Sequence, residues 1–171
     1  MQDGSATSSF QSYQKIVFFG KREVGKTLLI RKLLGSTSSS EHNSVGIEYH
    51  NLELEYQNKV HYLQFWDLSS HLDDKFELFL RNTSLVVFVF DFKDKEYQKY
   101  LFRLHELVTN FLSVEIIIVG ILNKEGKSKV SKEFANWTKE KEFLIHQVNL
   151  QKNEGISQLL QMIVTESDHE E

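Results

Sequence analysis

Three stretches of the chain are apolar without interruption: Val17-Phe18-Phe19, residues 85–90 and residues 116–119. A strand with one wet face alternates apolar and polar residues, so short unbroken runs mark strands covered on both faces, as in a parallel sheet. They predict three central strands over residues 15–19, 85–92 and 115–122. Residues 47–56 instead alternate, through Ile47, Tyr49, Leu52 and Leu54 with one slip, and Gln57-Asn58 joins them to residues 60–66. That pattern predicts an antiparallel hairpin near a sheet edge. Residues 143–149 form a sixth candidate strand. Between the strands, Tyr97, Leu101, Leu104, Leu107, Val108 and Phe111 recur at helical spacing and predict an amphipathic surface helix over residues 96–112. Residues 26–34 are rich in leucine and stop at Gly35, a C-terminal helix signal. Shorter helices are expected over residues 73–81, 130–139 and 156–164. Strand and helix thus alternate along nearly the whole chain, which predicts a three-layer α/β fold with right-handed crossovers.

Composition narrows the functional classes. A chain of 171 residues is long enough to bury a core of its own, and one domain is expected over residues 14–165. Residues 1–13 are polar and Ser/Gly-rich and read as a disordered lead-in, while residues 166–171 read as an acidic, solvated tail. Net charge of −4 supplies no basic field, so nucleic acid is not an expected partner. There are no cysteines, which excludes disulfides, thiolate metal sites, a cysteine nucleophile and a prenyl anchor. The seven histidines lack ligand spacing, and a zinc site is not expected. No apolar run approaches the length of a membrane span. A cytoplasmic protein is expected, reaching a membrane only through a partner.

One motif carries chemistry. Gly20-Lys21-Arg22-Glu23-Val24-Gly25-Lys26-Thr27 fits the pattern GxxxxGK[ST], and it follows one expected strand and opens an expected helix. Loop and helix-start N–H groups in that setting point at phosphates, Lys26 adds positive charge, and the Thr27 hydroxyl suits magnesium. A nucleoside triphosphate is the expected ligand.

From residue 15 to residue 164 the order of further motifs resembles the Ras superfamily of small GTPases, and its Rab branch most. Ser44-Val45-Gly46-Ile47-Glu48-Tyr49 is similar to the first switch, with Ser44 where the family has threonine. Leu63-Gln64-Phe65-Trp66-Asp67 is similar to the Rab strand that ends in Trp-Asp, and Asn123-Lys124 to the start of the guanine-reading Asn-Lys-x-Asp motif. The resemblance implies a Ras-like fold: a six-stranded, mostly parallel sheet with one antiparallel strand and about five helices. It implies GTP or GDP as ligand, magnesium held through Thr27, Ser44 and Asp67, and Lys26 assisting attack of water on the gamma-phosphate. It implies backbone contact to the base from Asn149-Leu150, which stand in the Ser-Ala-Lys-like stretch. It also implies that effector or regulatory proteins read an aromatic cluster formed here by Tyr49, Trp66 and Phe79; the other reading of those three is ordinary packing.

The departures from the family pattern point toward holding nucleotide more than cutting it. After Asp67 the family writes x-Ala-Gly-Gln, whereas this chain has Leu68-Ser69-Ser70-His71. Ser70 can still donate an N–H to phosphate with less backbone freedom than glycine. His71 replaces the glutamine that orients the attacking water, and is either a weak catalytic group or an exposed loop histidine. Arg22 and Glu23 put bulk and charge in the phosphate loop. Gly126 replaces the aspartate that accepts from guanine, which predicts weakened discrimination of guanine from adenine. Two functions are therefore carried forward: a divergent GTP/GDP switch with slow hydrolysis, and a pseudo-GTPase that serves as a protein-interaction module. A third, an ATP-dependent kinase, lacks an arginine-rich lid segment.

Overall fold

A computed structural model describes residues 13–35, 47–68, 77–122 and 130–168. The unbroken apolar runs become the middle of a six-stranded sheet: β1 (Gln14–Phe19), β4 (Leu85–Asp91) and β5 (Glu115–Ile121). Every residue from Leu85 to Phe90 is at most 2% exposed. Side-chain alternation splits these strands between two layers. Ile16, Phe18, Leu85, Val87 and Val89 face one cluster, which also takes Leu29, Ile30 and Leu33 of α1 (Lys26–Leu33) and Leu159, Ile163 and Val164 of α5 (Ile156–Ser167). Val17, Phe19, Val86, Phe88 and Phe90 face the other. There they meet Leu80 of α2 (Glu77–Leu80), Tyr97, Leu101, Leu104 and Val108 of α3 (Tyr97–Phe111), and Phe134 of α4 (Lys132–Glu140). Phe111, expected on the buried stripe, is 52% exposed at the last turn of α3.

The remaining strands are β2 (Ile47–Tyr56), β3 (Lys59–Leu68) and β6 (Leu144–Val148), and the spatial order is β2-β3-β1-β4-β5-β6. Neighbours run parallel except β2 and β3, which are antiparallel, as the sequence pattern predicts. Tyr56 pairs with Lys59, leaving a two-residue turn in which Gln57 and Asn58 both have positive φ, 53° and 64°. Positive φ at both positions is the primed geometry that matches strand twist. The slip in the apolar alternation of β2 is a change of face: Ile47 and Tyr49 point to the exposed side, while Leu52, Leu54 and Tyr56 pack toward the α1/α5 cluster. Because β1, β3, β4, β5 and β6 all run parallel, their C-terminal ends lie at one edge of the sheet, where open α/β sheets bind ligands.

Of the helix expected over residues 73–81, residues 73–76 lie outside the described residues and Glu77–Leu80 are helical. At the C-terminus, α5 continues to Ser167, which is 3% exposed, and Asp168 is paired with Lys59; residues 169–171 of the expected tail lie outside the described residues. Lys59 Nζ lies 2.7 Å from Asp168 Oδ2, and Gln14 Nε2 donates to the Ser167 carbonyl at 2.9 Å. These contacts tie Ser167 and Asp168 to the starts of β1 and β3. Among the described residues, no helix is long and apolar enough to cross a membrane.

The hydrogen bond from Lys59, the largest cause, holds the Asp168 carboxyl below its ordinary value of 3.8. A carboxyl depressed in the folded state stabilises fully above its unfolded value and loses that contribution as pH falls through the lower, folded one. Asp168→Asn should therefore cost about 0.5 kcal/mol at pH 7, the scale of a partly exposed pair, with the difference vanishing well below pH 3.8. Urea unfolding of both forms across that range measures it.

Candidate functional site

The phosphate loop begins where β1 runs out of apolar residues. Gly20 passes so close to β4 that a Cβ on it would lie 2.4 Å from the Val89 carbonyl oxygen, a backbone atom that cannot give way. The loop turns through Glu23 (φ 61°) and Gly25 (φ 103°) into α1, whose first residue is Lys26. Gly25 occupies the N-cap position and offers no side-chain cap, so the first-turn N–H groups of α1 keep the anion-facing role described for such turns. Lys26 is 7% exposed, and its Nζ donates to the carbonyls of Gly20 at 2.8 Å and Lys21 at 3.2 Å. The ammonium thus sits across the mouth of the loop.

Thr27 and Asp67 meet across the same edge. Parallel register sets Phe18 beside Asp67, which brings the end of β3 level with the end of β1. The Thr27 hydroxyl donates to Asp67 Oδ2, and Asp67 is 1% exposed. A hydroxyl and a carboxylate converging beside a phosphate loop are oxygen donors of the kind magnesium takes, with phosphates completing the shell. Among the described residues, no group of three or more His, Cys, Asp or Glu could hold a metal ion.

The loop's charged residues divide. Arg22 and Glu23 turn outward, with side chains 60% and 72% exposed and Arg22 Nε 3.7 Å from Glu23 Oε1, so the acidic group does not face a phosphate. Lys21 is drawn sideways to Asp94, 2.6 Å away, and its Nζ lies 5.8 Å from the centre of the Tyr100 ring. Partial desolvation pushes the Asp94 carboxyl up, but the Lys21 ammonium and the N–H of Glu96 outweigh it and hold the group below its ordinary value. This pair moors the phosphate loop to the segment between β4 and α3. Val24 closes the turn through its N–H to the Lys21 carbonyl at 3.3 Å.

On the base side, the Asn149 backbone N–H donates to the Glu154 carbonyl at 3.0 Å, and the Glu154 N–H returns a bond to the Asn149 carbonyl at 3.1 Å. That bridge closes the turn between β6 and α5. Leu150 is 8% exposed and its Cδ1 lies 3.2 Å from where a Cβ on Gly25 would stand, so it backs the phosphate loop with Ile121. Ser44, Ser70, His71, Asn123, Lys124 and Gly126 lie outside the described residues.

Tyr49, Trp66 and Phe79 come together as one aromatic row. Tyr49 pairs directly opposite Trp66, with ring centres 6.0 Å apart, and Trp66 and Phe79 are 6.5 Å apart. Tyr49 is 63% exposed. Beneath the row is Lys15, which sequence reasoning took only as the start of a strand. Its Nζ lies 4.0 Å from the Trp66 ring centre and donates to the carbonyls of Phe79 at 2.6 Å and Arg81 at 3.1 Å. Burial lowers its pKa. Lys15 thereby pins the C-terminal end of α2 to β1. Nothing local announces this role, because the partners are 64 and 66 residues away.

A phosphate loop between the first strand and first helix of this sheet, facing an aspartate at the end of β3, defines a Ras-like GTPase fold. Over residues 15–126 the sequence matches the family described as "Ras of Complex, Roc, domain of DAPkinase", and the chain belongs to that family. It is 23% identical over 133 residues to the Ras-related protein RabK1 of Dictyostelium discoideum, spanning 74% of this chain and 62% of that relative. The fold is similar to that of Methanosarcina barkeri Roco2 RocCORdC bound to GDP, with TM-score 0.76 and 20% identity. That likeness covers 92% of this chain and 49% of the other, so the chain spans less than two thirds of either protein.

Gly20→Ala should cost about 1–3 kcal/mol, since its Cβ meets backbone oxygen in a packed layer. Thermal unfolding without nucleotide checks this; an unchanged melting temperature would mean that the loop relaxes away from β4.

Proposed function

We propose that this chain is a guanine-nucleotide switch that holds GTP or GDP with magnesium and hydrolyses GTP slowly. The observation that carries the reading is the placement of Lys26: a buried ammonium across the mouth of an uncapped helix start, beside the Thr27–Asp67 oxygen pair. Lys26 would exchange its two carbonyl partners for phosphate oxygens, gaining charge-assisted hydrogen bonds in a site sheltered from water. Thr27, Asp67 and Ser44 would hold magnesium, which when bound neutralises charge developing on the phosphates. Slow turnover follows from residues 68–71, where His71 stands in place of a water-orienting glutamine. The ligand-holding part of the machinery is thus more complete than the part that cuts.

A second reading, an interaction module without turnover, is supported by the Tyr49–Trp66–Phe79 row, exposed at Tyr49 and half-buried at Trp66 and Phe79, which would offer effector or regulatory proteins a surface whether or not hydrolysis occurs. The proposed setting is cytoplasmic, with membrane recruitment through a partner.

Chromatography of the nucleotide released from purified, denatured protein, followed by timed GTP hydrolysis with magnesium, tests both readings. The expected result is guanine nucleotide and a rate below about 10⁻⁴ per second, under that of Ras alone. Bound nucleotide with no measurable turnover would favour the module. No nucleotide, together with no thermal shift on adding GTP and magnesium, would remove the switch. Lys26→Ala should weaken binding about 10- to 150-fold, the loss of hydrogen bonds to a charged group, as read by titration of labelled GDP.

A further inference from the structure

An ammonium ties the aromatic row to the sheet from beneath. Lys15 opens β1 on the face where Val17 and Phe19 are buried, the face against which Trp66 and Phe79 also pack. Its Nζ donates to the carbonyls of Phe79 and Arg81 and carries its charge over the Trp66 ring, 4.0 Å from the centre. The last carbonyls of a helix have no partner within it, and α2 has no basic residue in its own last turn. β1 supplies the cation that α2 lacks. Lys15 is half-buried, and the two carbonyls and the ring replace the water that its ammonium gives up. The rest of the row is fixed on the same face. Trp66 Nε1 donates to Gln64 Oε1 at 2.7 Å, Gln64 Nε2 donates to Asn51 Oδ1 at 3.0 Å, and Tyr49 stands opposite Trp66 across the β2–β3 pair. Neighbouring side chains on a strand point to opposite faces, so Trp66 parts from Asp67, which meets Thr27 on the α1 side. Among the described residues, the ring and side-chain hydrogen-bond contacts of Tyr49, Trp66 and Phe79 run to one another, to Lys15 and to Gln64. None of them runs to the phosphate loop or to the Thr27–Asp67 pair.

We propose that Lys15 sets the resting arrangement of the aromatic row, so that the surface offered to partner proteins is assembled from the sheet and is the same with and without nucleotide. This rests on the surface and nucleotide-binding readings above. A ligand shifts an arrangement only through interactions that differ between its states. The contacts that fix the indole belong to β1, β2, β3 and the end of α2, on the face of the sheet away from the Thr27–Asp67 pair. Loss of the Lys15 charge, by contrast, removes two donors to α2 and the cation over the ring in one step. Lys15 is thus a positioning residue for the row, acting from a strand that the row itself does not include.

The test uses the full chain carrying fluorine-labelled tryptophan, followed by fluorine NMR, with the Trp66 signal identified as the one lost in Trp66→Phe. Spectra are taken without nucleotide, with GDP and magnesium, and with a non-hydrolysable GTP analogue and magnesium, and binding is checked by thermal shift. In the parent the Trp66 signal should stay within a linewidth under all of these conditions. Lys15→Met keeps the length and apolar packing of the stem and removes the charge, and should move the signal by more than a linewidth without nucleotide. Lys15→Arg keeps a cation of different shape and should return the signal part of the way. If Lys15→Met does not fold, Lys15→Gln, which also removes the charge, takes its place with the same expected shift. A Trp66 signal that moves when nucleotide binds to the parent, or that ignores the loss of the Lys15 charge in a folded variant, overturns this inference and leaves the switch and the surface readings standing. A parent whose melting temperature neither nucleotide raises removes the switch, and the Lys15 variants then decide the inference by themselves.

Discussion

The parallel pairing of β1 between β3 and β4 is the constraint on which the candidate site depends. Its residues are apolar on both faces, so the strand is held in the middle of the sheet by two layers of packing and cannot slip by one residue without reversing Ile16 and Phe18 with Val17 and Phe19. That register puts Asp67 level with Phe18 and sends Gly20 under the Val89 carbonyl. The phosphate loop, the Lys26 ammonium and the Thr27–Asp67 pair all follow from where β1 ends.

Around this rigid centre, the contacts that shape the rim are of a different kind. Lys21 to Asp94 and Lys15 to the end of α2 are ion pairs and charge-to-carbonyl bonds near the surface, one moored to the segment after β4 and the other beneath the aromatic row. Partly exposed pairs of this type contribute little compared with burial of a core strand. They can therefore set the resting position of loop and helix without making either expensive to move.

Much of the fold was legible along the chain, because its cause is local. Residues 85–90 have no polar break and so must be covered on both faces; Gln57-Asn58 can take positive φ and so can turn a hairpin. The phosphate loop was legible for the same reason, as its glycines, lysine and threonine act at fixed spacing on a strand-to-helix turn. Lys15, Asp94 and the backbone of Asn149 were not legible. Lys15 acts on carbonyls of another element, Asp94 on a lysine in a different loop, and the Asn149 N–H is consumed by a bridge to Glu154 that no spacing rule implies. The pairing of Asp168 with Lys59 was not legible either, because the two residues are far apart in sequence and acidic composition alone gives no partner.

The sequence by itself determined the strand and helix types, the hairpin and the loop between β1 and α1, since each depends on periodicity or on neighbours within one turn. Tertiary structure alone decided which polar groups remain available. Among the described residues, Asn149 Oδ1 and its backbone are taken by the turn, and its buried Nδ2 has no partner, a distinction that burial and register alone make.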